Sequence, residues 1–193
     1  MQPEMLIVAG ANGSGKSTFA FDFIREFGWT YLGADAIAAE IAGVAASAEV
    51  QLRAGRQFFE NFQVLLARRE SFVVETTLSG LGFRRMIREA KSAGFKVTIY
   101  FFYLDSADVC VARVAERVRK GGHHVPEADV RRRFHRSCTN FWSIYRAMTD
   151  HWVVMYNGAQ VVHEVVFGER EVFVIGDTAR FESFLQLAER ESI

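Results

Sequence analysis

Residues Gly10 to Ser17 read Gly-Ala-Asn-Gly-Ser-Gly-Lys-Ser and fit the pattern G-x-x-x-x-G-K-[ST] without a mismatch. Glycines let such a loop turn tightly, so that successive amide hydrogens point inward at phosphate oxygens. The helix that follows adds the positive end of its dipole. Lys16 can then reach the β- and γ-phosphates and the Ser17 hydroxyl can ligate Mg²⁺. The backbone of Gly10, Ala11, Asn12, Gly13, Ser14, Gly15 and Thr18 shapes the cradle. The surroundings agree. The motif follows the apolar run "MLIVAG" and opens a stretch with Phe19, Phe23, Ile24 and Phe27 at helical spacing.

Two carboxylates are placed to act beside such a cradle. Asp35 ends an expected second strand, "WTYLGAD", and the carboxyl ends of parallel strands line the crevice where ligands sit. There it could accept the proton of an acceptor hydroxyl during phosphoryl transfer. Standing before "AIAAEIA", it is also a good helix N-cap, and one side chain can serve both purposes. Glu75 follows Phe72-Val73-Val74, so a charge appears at the end of a strand otherwise suited to burial, and Thr76 and Thr77 add hydroxyls at the same edge. These groups suit acceptor binding or the ordering of Mg²⁺ through water. A strand-end carboxylate paired with an arginine is the structural alternative.

A third feature is a local excess of positive charge. The whole chain carries 23 basic and 23 acidic side chains. From Arg113 to Arg136, however, eight basic residues face three acidic ones. Arg132 and Arg136 share one helix face and Arg113 and Arg117 another, so like charges repel unless an anion compensates. A bound triphosphate would supply that anion, and the arginine fork suits phosphate oxygens. Arg117, Arg132, Arg133 and Arg136 are therefore read as phosphate-facing, and Arg131 as solvated. Gly121-Gly122 would be the hinge of a lid closing over the nucleotide. For His123 and His124 a role in shaping that lid is favoured over metal binding, because no Cys or carboxylate spacing completes a site.

These residues need a scaffold, and the chain alternates strand and helix patterns. After the cradle helix and second strand come helical stretches near Ala36–Ala42 and Ala48–Arg69, the strand "SFVVETT", the helix "FRRMIREAKSAG" and "FKVTIYFFYLD". That last run is the richest in β-formers and is expected at the centre of the sheet. The arginine-bearing helices follow, then "HWVVMYN", "QVVHEVVFG" and "EVFVIG" as late strands, and "TARFESFLQLAER" as a closing helix. Such alternation predicts a three-layer α/β/α fold around a parallel sheet. It forms a single domain over 1–193 with a helical lid near 117–137. Cys110 and Cys138 are too few for a disulfide framework and are expected reduced and buried, consistent with cytoplasm. No signal peptide and no long apolar span are expected, and neutral total charge argues against a general nucleic-acid binder.

Nucleotide binding leaves the reaction open. No Asn-Lys-x-Asp segment reads guanine as in a GTPase, and "TLSGLG" lacks the glutamine of a transporter-type signature. A small-molecule kinase fits best. Its rivals are an ATP-binding regulatory or interaction module with weak or no kinase activity and, less well supported, an ATP-dependent nucleic-acid enzyme.

"GANGSGKST", "LGAD", "FVVETTLSG" and "GGHHVPEADVRRRFHRS" together resemble the zeta-toxin-like P-loop kinases, in particular the branch named predicted ABC-type ATPases. The resemblance runs from about Met5 to Asn157, and the segment from the glycine pair through the arginine run is its most specific part. It implies a core like that of adenylate or shikimate kinases, ATP or GTP with Mg²⁺, and a nucleotide-sugar or nucleotide-like acceptor. An antitoxin protein is an implied partner. By the same resemblance Lys16 and Ser17 lie at the phosphates, Asp35 is the base, Glu75 and Thr77 meet the acceptor, and the lid arginines are among Arg117, Arg132 and Arg133. The resemblance also implies an acidic residue before Asn157, where this chain has Tyr156.

Overall fold

The computed structural model describes residues 2–42, 48–158 and 161–189. Seven strands form one sheet: β1 (Glu4–Gly10), β2 (Thr30–Gly33), β3 (Phe72–Thr76), β4 (Lys96–Tyr103), β5 (His151–Tyr156), β6 (His163–Glu169) and β7 (Val172–Ile175). Among the described residues eight α-helices surround it: α1 (Lys16–Phe27), α2 (Ala34–Ala42), α3 (Ala48–Arg68), α4 (Phe83–Ser92), α5 (Ala107–Arg119), α6 (Glu127–Asn140), α7 (Arg146–Met148) and α8 (Thr178–Ala188). A π-helical turn, Phe141–Tyr145, joins α6 to α7. Gln160, in the expected strand "QVVHEVVFG", and Arg190, at the end of the expected last helix, lie outside the described residues.

The strand order is β2-β3-β1-β4-β5-β6-β7, which puts β4 at the centre, where its β-rich composition pointed. The first five strands in that order are parallel, as the alternation predicts. β6 and β7 are antiparallel, and here the architecture departs from an all-parallel sheet. The reason lies in the connections. A parallel return needs a crossover of a dozen or more residues, whereas Asn157 to Val162 and Arg170–Glu171 are too short for one.

The helical layers are unequal. α1 packs alone on one face, with Ala20, Phe19, Phe23 and Ile24 against Leu6, Val8, Val73 and Phe102. The remaining helices contribute to the larger core on the other face, where the rings of Phe101 and Phe141 stack at 4.4 Å and Trp152 is fully buried. Each such aromatic adds about 1.5–3 kcal/mol of burial. Among the described residues no helix is long and apolar enough to cross a membrane.

Strand register sets the active edge. Ala9 is level with Thr76, Gly33 with Glu75, and Gly10 with Phe102. The C-terminal ends of β1, β2 and β3 therefore converge, bringing the cradle, Asp35 and Glu75 to one place. The expected lid divides in two. Residues 119–124 are exposed, but Val130, Phe134, Ser137 and Cys138 of α6 are built into the core.

Candidate functional site

The cradle runs from the end of β1 into α1. Gly15 has φ 94°, and a side chain there would collide with the amide of Asn157. That amide is a brace, since its Nδ2 donates to the Ser14 carbonyl at 2.8 Å. Arg113 in turn donates to the Asn157 carbonyl at 2.8 Å. The strand-end residue thus holds the cradle from behind, so Asn157→Ala should weaken binding of a fluorescent ATP analogue by about tenfold with the fold intact. Titration of the analogue and a melting curve check this.

Lys16 is buried, donates to the Ala11 carbonyl at 2.8 Å and lies 3.9 Å from Glu75 Oε1. Burial pulls its pKa down, while Glu75 and then Asp35 pull it up more weakly. Glu75 is the hub of the site. Its Oε1 accepts from Ser17 Oγ at 3.0 Å and its Oε2 from the Tyr31 hydroxyl at 2.9 Å. The tyrosine pKa is raised by burial and by the Glu75 charge, so Tyr31 remains a donor. The strand-end carboxylate thus faces Ser17, Tyr31 and Lys16 rather than an arginine, which removes the purely structural pairing left open above. A hydroxyl and a carboxylate side by side are hard oxygen donors of the kind Mg²⁺ takes beside phosphates.

Asp35 sits in the first turn of α2, which begins at Ala34, so it is inside the helix rather than capping it. It is exposed, and among the described residues it forms no side-chain hydrogen bond or salt bridge.

Two cavities meet here. One, of about 400 Å³, is lined by the cradle with Arg113, Arg117 and His123. The other, of about 360 Å³, is lined by Thr76, Thr77, Ser79, Phe58, Phe83 and Arg133. Asn12, Lys16, Tyr31, Asp35 and Glu75 line both and form the shared wall.

The arginines separate by partner. Arg119 pairs with Glu116, Arg131 with Asp108 and Glu127, and Arg132 with Asp129. Arg132 and the exposed Arg136 line neither cavity. Arg117 and Arg133 do line them, and among the described residues neither forms a salt bridge: Arg117 donates to the His123 carbonyl at 2.8 Å and Arg133 to Asn12 Oδ1 at 3.3 Å. Among the described residues Arg117 Nε and the fully buried Ser14 Oγ have no hydrogen-bond partner. Polar atoms left bare beside the cradle are what an anion-binding site presents.

The glycine pair, expected as a hinge, stands at a helix end. Gly121, at φ 85°, and Gly122 donate to the Val118 and Arg117 carbonyls and close α5. A Cβ on Gly122 would sit 2.6 Å from Arg117 Cγ, so the turn is wrapped around that side chain.

Tyr31, Ser79, Arg113 and Asn157 entered the site without being singled out for it by sequence. The polar ending of β5 hinted at Asn157 and the basic cluster at Arg113, whereas Tyr31 and Ser79 have ordinary surroundings in the chain. Both cysteines are free and buried as expected, and burial pushes the Cys110 thiol up to about 12. Among the described residues no cluster of three or more His, Cys, Asp or Glu could hold a metal ion.

Comparison with known proteins agrees with this fold. An uncharacterized protein of Haemophilus influenzae is 30% identical over 134 residues, covering 69% of this chain and 94% of that protein. The crystal structure of AvrRxo1-ORF1:-ORF2 with ATP superposes with a TM-score of 0.81 at 16% identity, over 100% of this chain and 66% of that one. A structure from the PezAT chromosomal toxin-antitoxin system of Streptococcus pneumoniae gives 0.71 at 14% identity, over 100% and 80%. These neighbours share the P-loop kinase fold. A family model described as AAA domain matches residues 5–139, the part that holds the cradle, both carboxylates and the arginine helices, and the chain belongs to that P-loop family.

Proposed function

We propose that this protein is a zeta-toxin-like P-loop kinase that moves the γ-phosphate of ATP to a hydroxyl of a small acceptor, nucleotide-sugar or nucleotide-like in kind. One observation carries the reading: two cavities share a wall made of Lys16, Asp35, Glu75, Tyr31 and Asn12. A kinase needs this arrangement, with a donor on one side, an acceptor on the other, and the charged groups where they meet.

The cradle amides and Lys16 would hold the phosphates of the nucleotide, and Ser17 with Glu75 would hold Mg²⁺. The ion, when bound, neutralises charge on the phosphates. Asp35, which among the described residues forms no salt bridge or side-chain hydrogen bond, takes the proton of the acceptor hydroxyl as its oxygen bonds to the γ-phosphorus and the bond to the β-phosphate oxygen breaks, releasing ADP. Lys16, Arg117 and Arg133 offset charge on the transferred group. The second cavity, with aromatic Tyr31, Phe58 and Phe83 beside the Thr77 and Ser79 hydroxyls, suits a ring bearing polar substituents. An antitoxin-like protein partner belongs to the same proposal, since the PezAT structure comes from a toxin-antitoxin system.

The test is transfer of radiolabel from γ-labelled ATP with Mg²⁺ to a panel of sugar nucleotides, nucleotides and dinucleotides. Label should move to one acceptor class. Arg133→Gln should lower that transfer by about a hundredfold, whereas Arg132→Gln, already neutralised by Asp129, should stay within about twofold of wild type. ATP binding with no label moved to any acceptor would instead favour an ATP-binding module.

A further inference from the structure

The loop after β3, residues 77–82, carries the hydroxyls of the acceptor cavity in a conformation it would not choose alone. Leu78 lies in the left-handed region at φ 51°, where a branched aliphatic residue is seldom found. This turn sets Thr77 Oγ1 and Ser79 Oγ 2.9 Å apart on the same cavity.

Three side chains hold the loop from behind. Ser137 Oγ donates to the Thr77 carbonyl at 2.5 Å, Asn140 Nδ2 to the Leu78 carbonyl at 2.9 Å, and the Tyr145 hydroxyl to the Gly80 carbonyl at 2.5 Å. Ser137 and Tyr145 are fully buried. All three come from α6 and the π-helical turn that continues it. The irregular turn has a geometric purpose. In an unbroken α-helix Tyr145 would lie about 80° around from Ser137, and the one extra residue of a π-turn takes back roughly 100°. Tyr145 is thereby returned to the face that carries Ser137 and Asn140. One turn earlier the same helix presents Arg133 to Asn12 in the cradle. A single core-packed element therefore touches both the phosphate cradle and the acceptor loop.

We propose that Ser137, Asn140 and Tyr145 are positioning residues that register the 77–80 loop, and with it the acceptor hydroxyl, against the cradle. This rests on the kinase reading above.

The test uses the full chain as wild type, Tyr145→Phe and, since Asn140 is only partly buried, Asn140→Ala as the milder variant. Backbone hydrogen exchange needs no substrate. Exchange across 77–82 should quicken by about tenfold in either variant while the cradle peptide keeps its wild-type rate. With Mg-ATP and the acceptor class identified by label transfer, the acceptor KM should rise by about tenfold. Affinity for a fluorescent ATP analogue should stay within about twofold. Unchanged exchange at 77–82 overturns the proposal, as does a loss of ATP affinity that keeps pace with the acceptor KM. Wild-type protein that labels no acceptor counts against the kinase reading, and exchange alone then decides the clamp.

Discussion

Asp35→Asn should lower phosphoryl transfer by about a thousandfold while leaving Mg-ATP affinity within about twofold of wild type. The substitution keeps the shape of the side chain and removes its capacity to accept a proton. Asp35 lines both cavities, is exposed, and among the described residues has no salt bridge or side-chain hydrogen bond to lose. Its structural contribution is confined to a negative charge in the first turn of α2. That predicts a melting temperature lowered by no more than about 2–4 °C. Transfer assays, analogue titration and a melting curve on the same sample separate the two roles. A large drop in melting temperature with transfer retained would make Asp35 a helix residue only.

Lys16→Met is the second substitution with a large effect, and it acts on both binding and chemistry. The ammonium is buried at the shared wall, where few other positive groups can replace it. Transfer should fall by at least about a thousandfold, and affinity for the ATP analogue by roughly ten- to a hundredfold. A pH signature accompanies it. Burial holds the Lys16 pKa below its ordinary 10.5, with Glu75 and Asp35 opposing. Between the lowered value and 10.5 the unfolded chain keeps a proton that the folded chain has released, so stability rises with pH across that window and the contribution is lost as pH falls through the lowered value. Phosphate works in the opposite direction, because it favours the charged ammonium. Binding therefore takes up a proton in that window, and ATP affinity should weaken as pH rises through it. Titrations of wild type and Lys16→Met from neutral pH towards 10.5 test this: the slope should be present in wild type and absent in the variant.

Much of this site was readable along the chain because its parts are local. The cradle is contiguous, its glycines and lysine have fixed spacing, and the flanking strand and helix announce themselves by apolar period. Asp35 and Glu75 were found because the ends of parallel strands share one edge, which follows from topology alone once the alternation is recognised. The centre of the sheet was marked by composition: β4 is the run richest in β-branched and aromatic residues.

Contacts across the fold were not readable in this way. Helical period puts Arg132, Arg133 and Arg136 on named faces, but it does not say what those faces meet. Arg133 finds Asn12, 121 residues away, while Arg132 turns to a local aspartate and leaves the site. The glycine pair read as a hinge also closes a helix end folded over Arg117, a contact that spacing alone does not give, because glycine serves mobility and close approach equally well. The π-turn left no mark in the sequence, although it carries the Tyr145 hydroxyl that reaches the Gly80 carbonyl. Spacing along this chain pointed to the proposed chemistry and to the sheet edge that would carry it. Packing between helices far apart in sequence settled which charges stay unpaired to perform it, because an arginine is neutralised by whatever carboxylate the fold brings within reach.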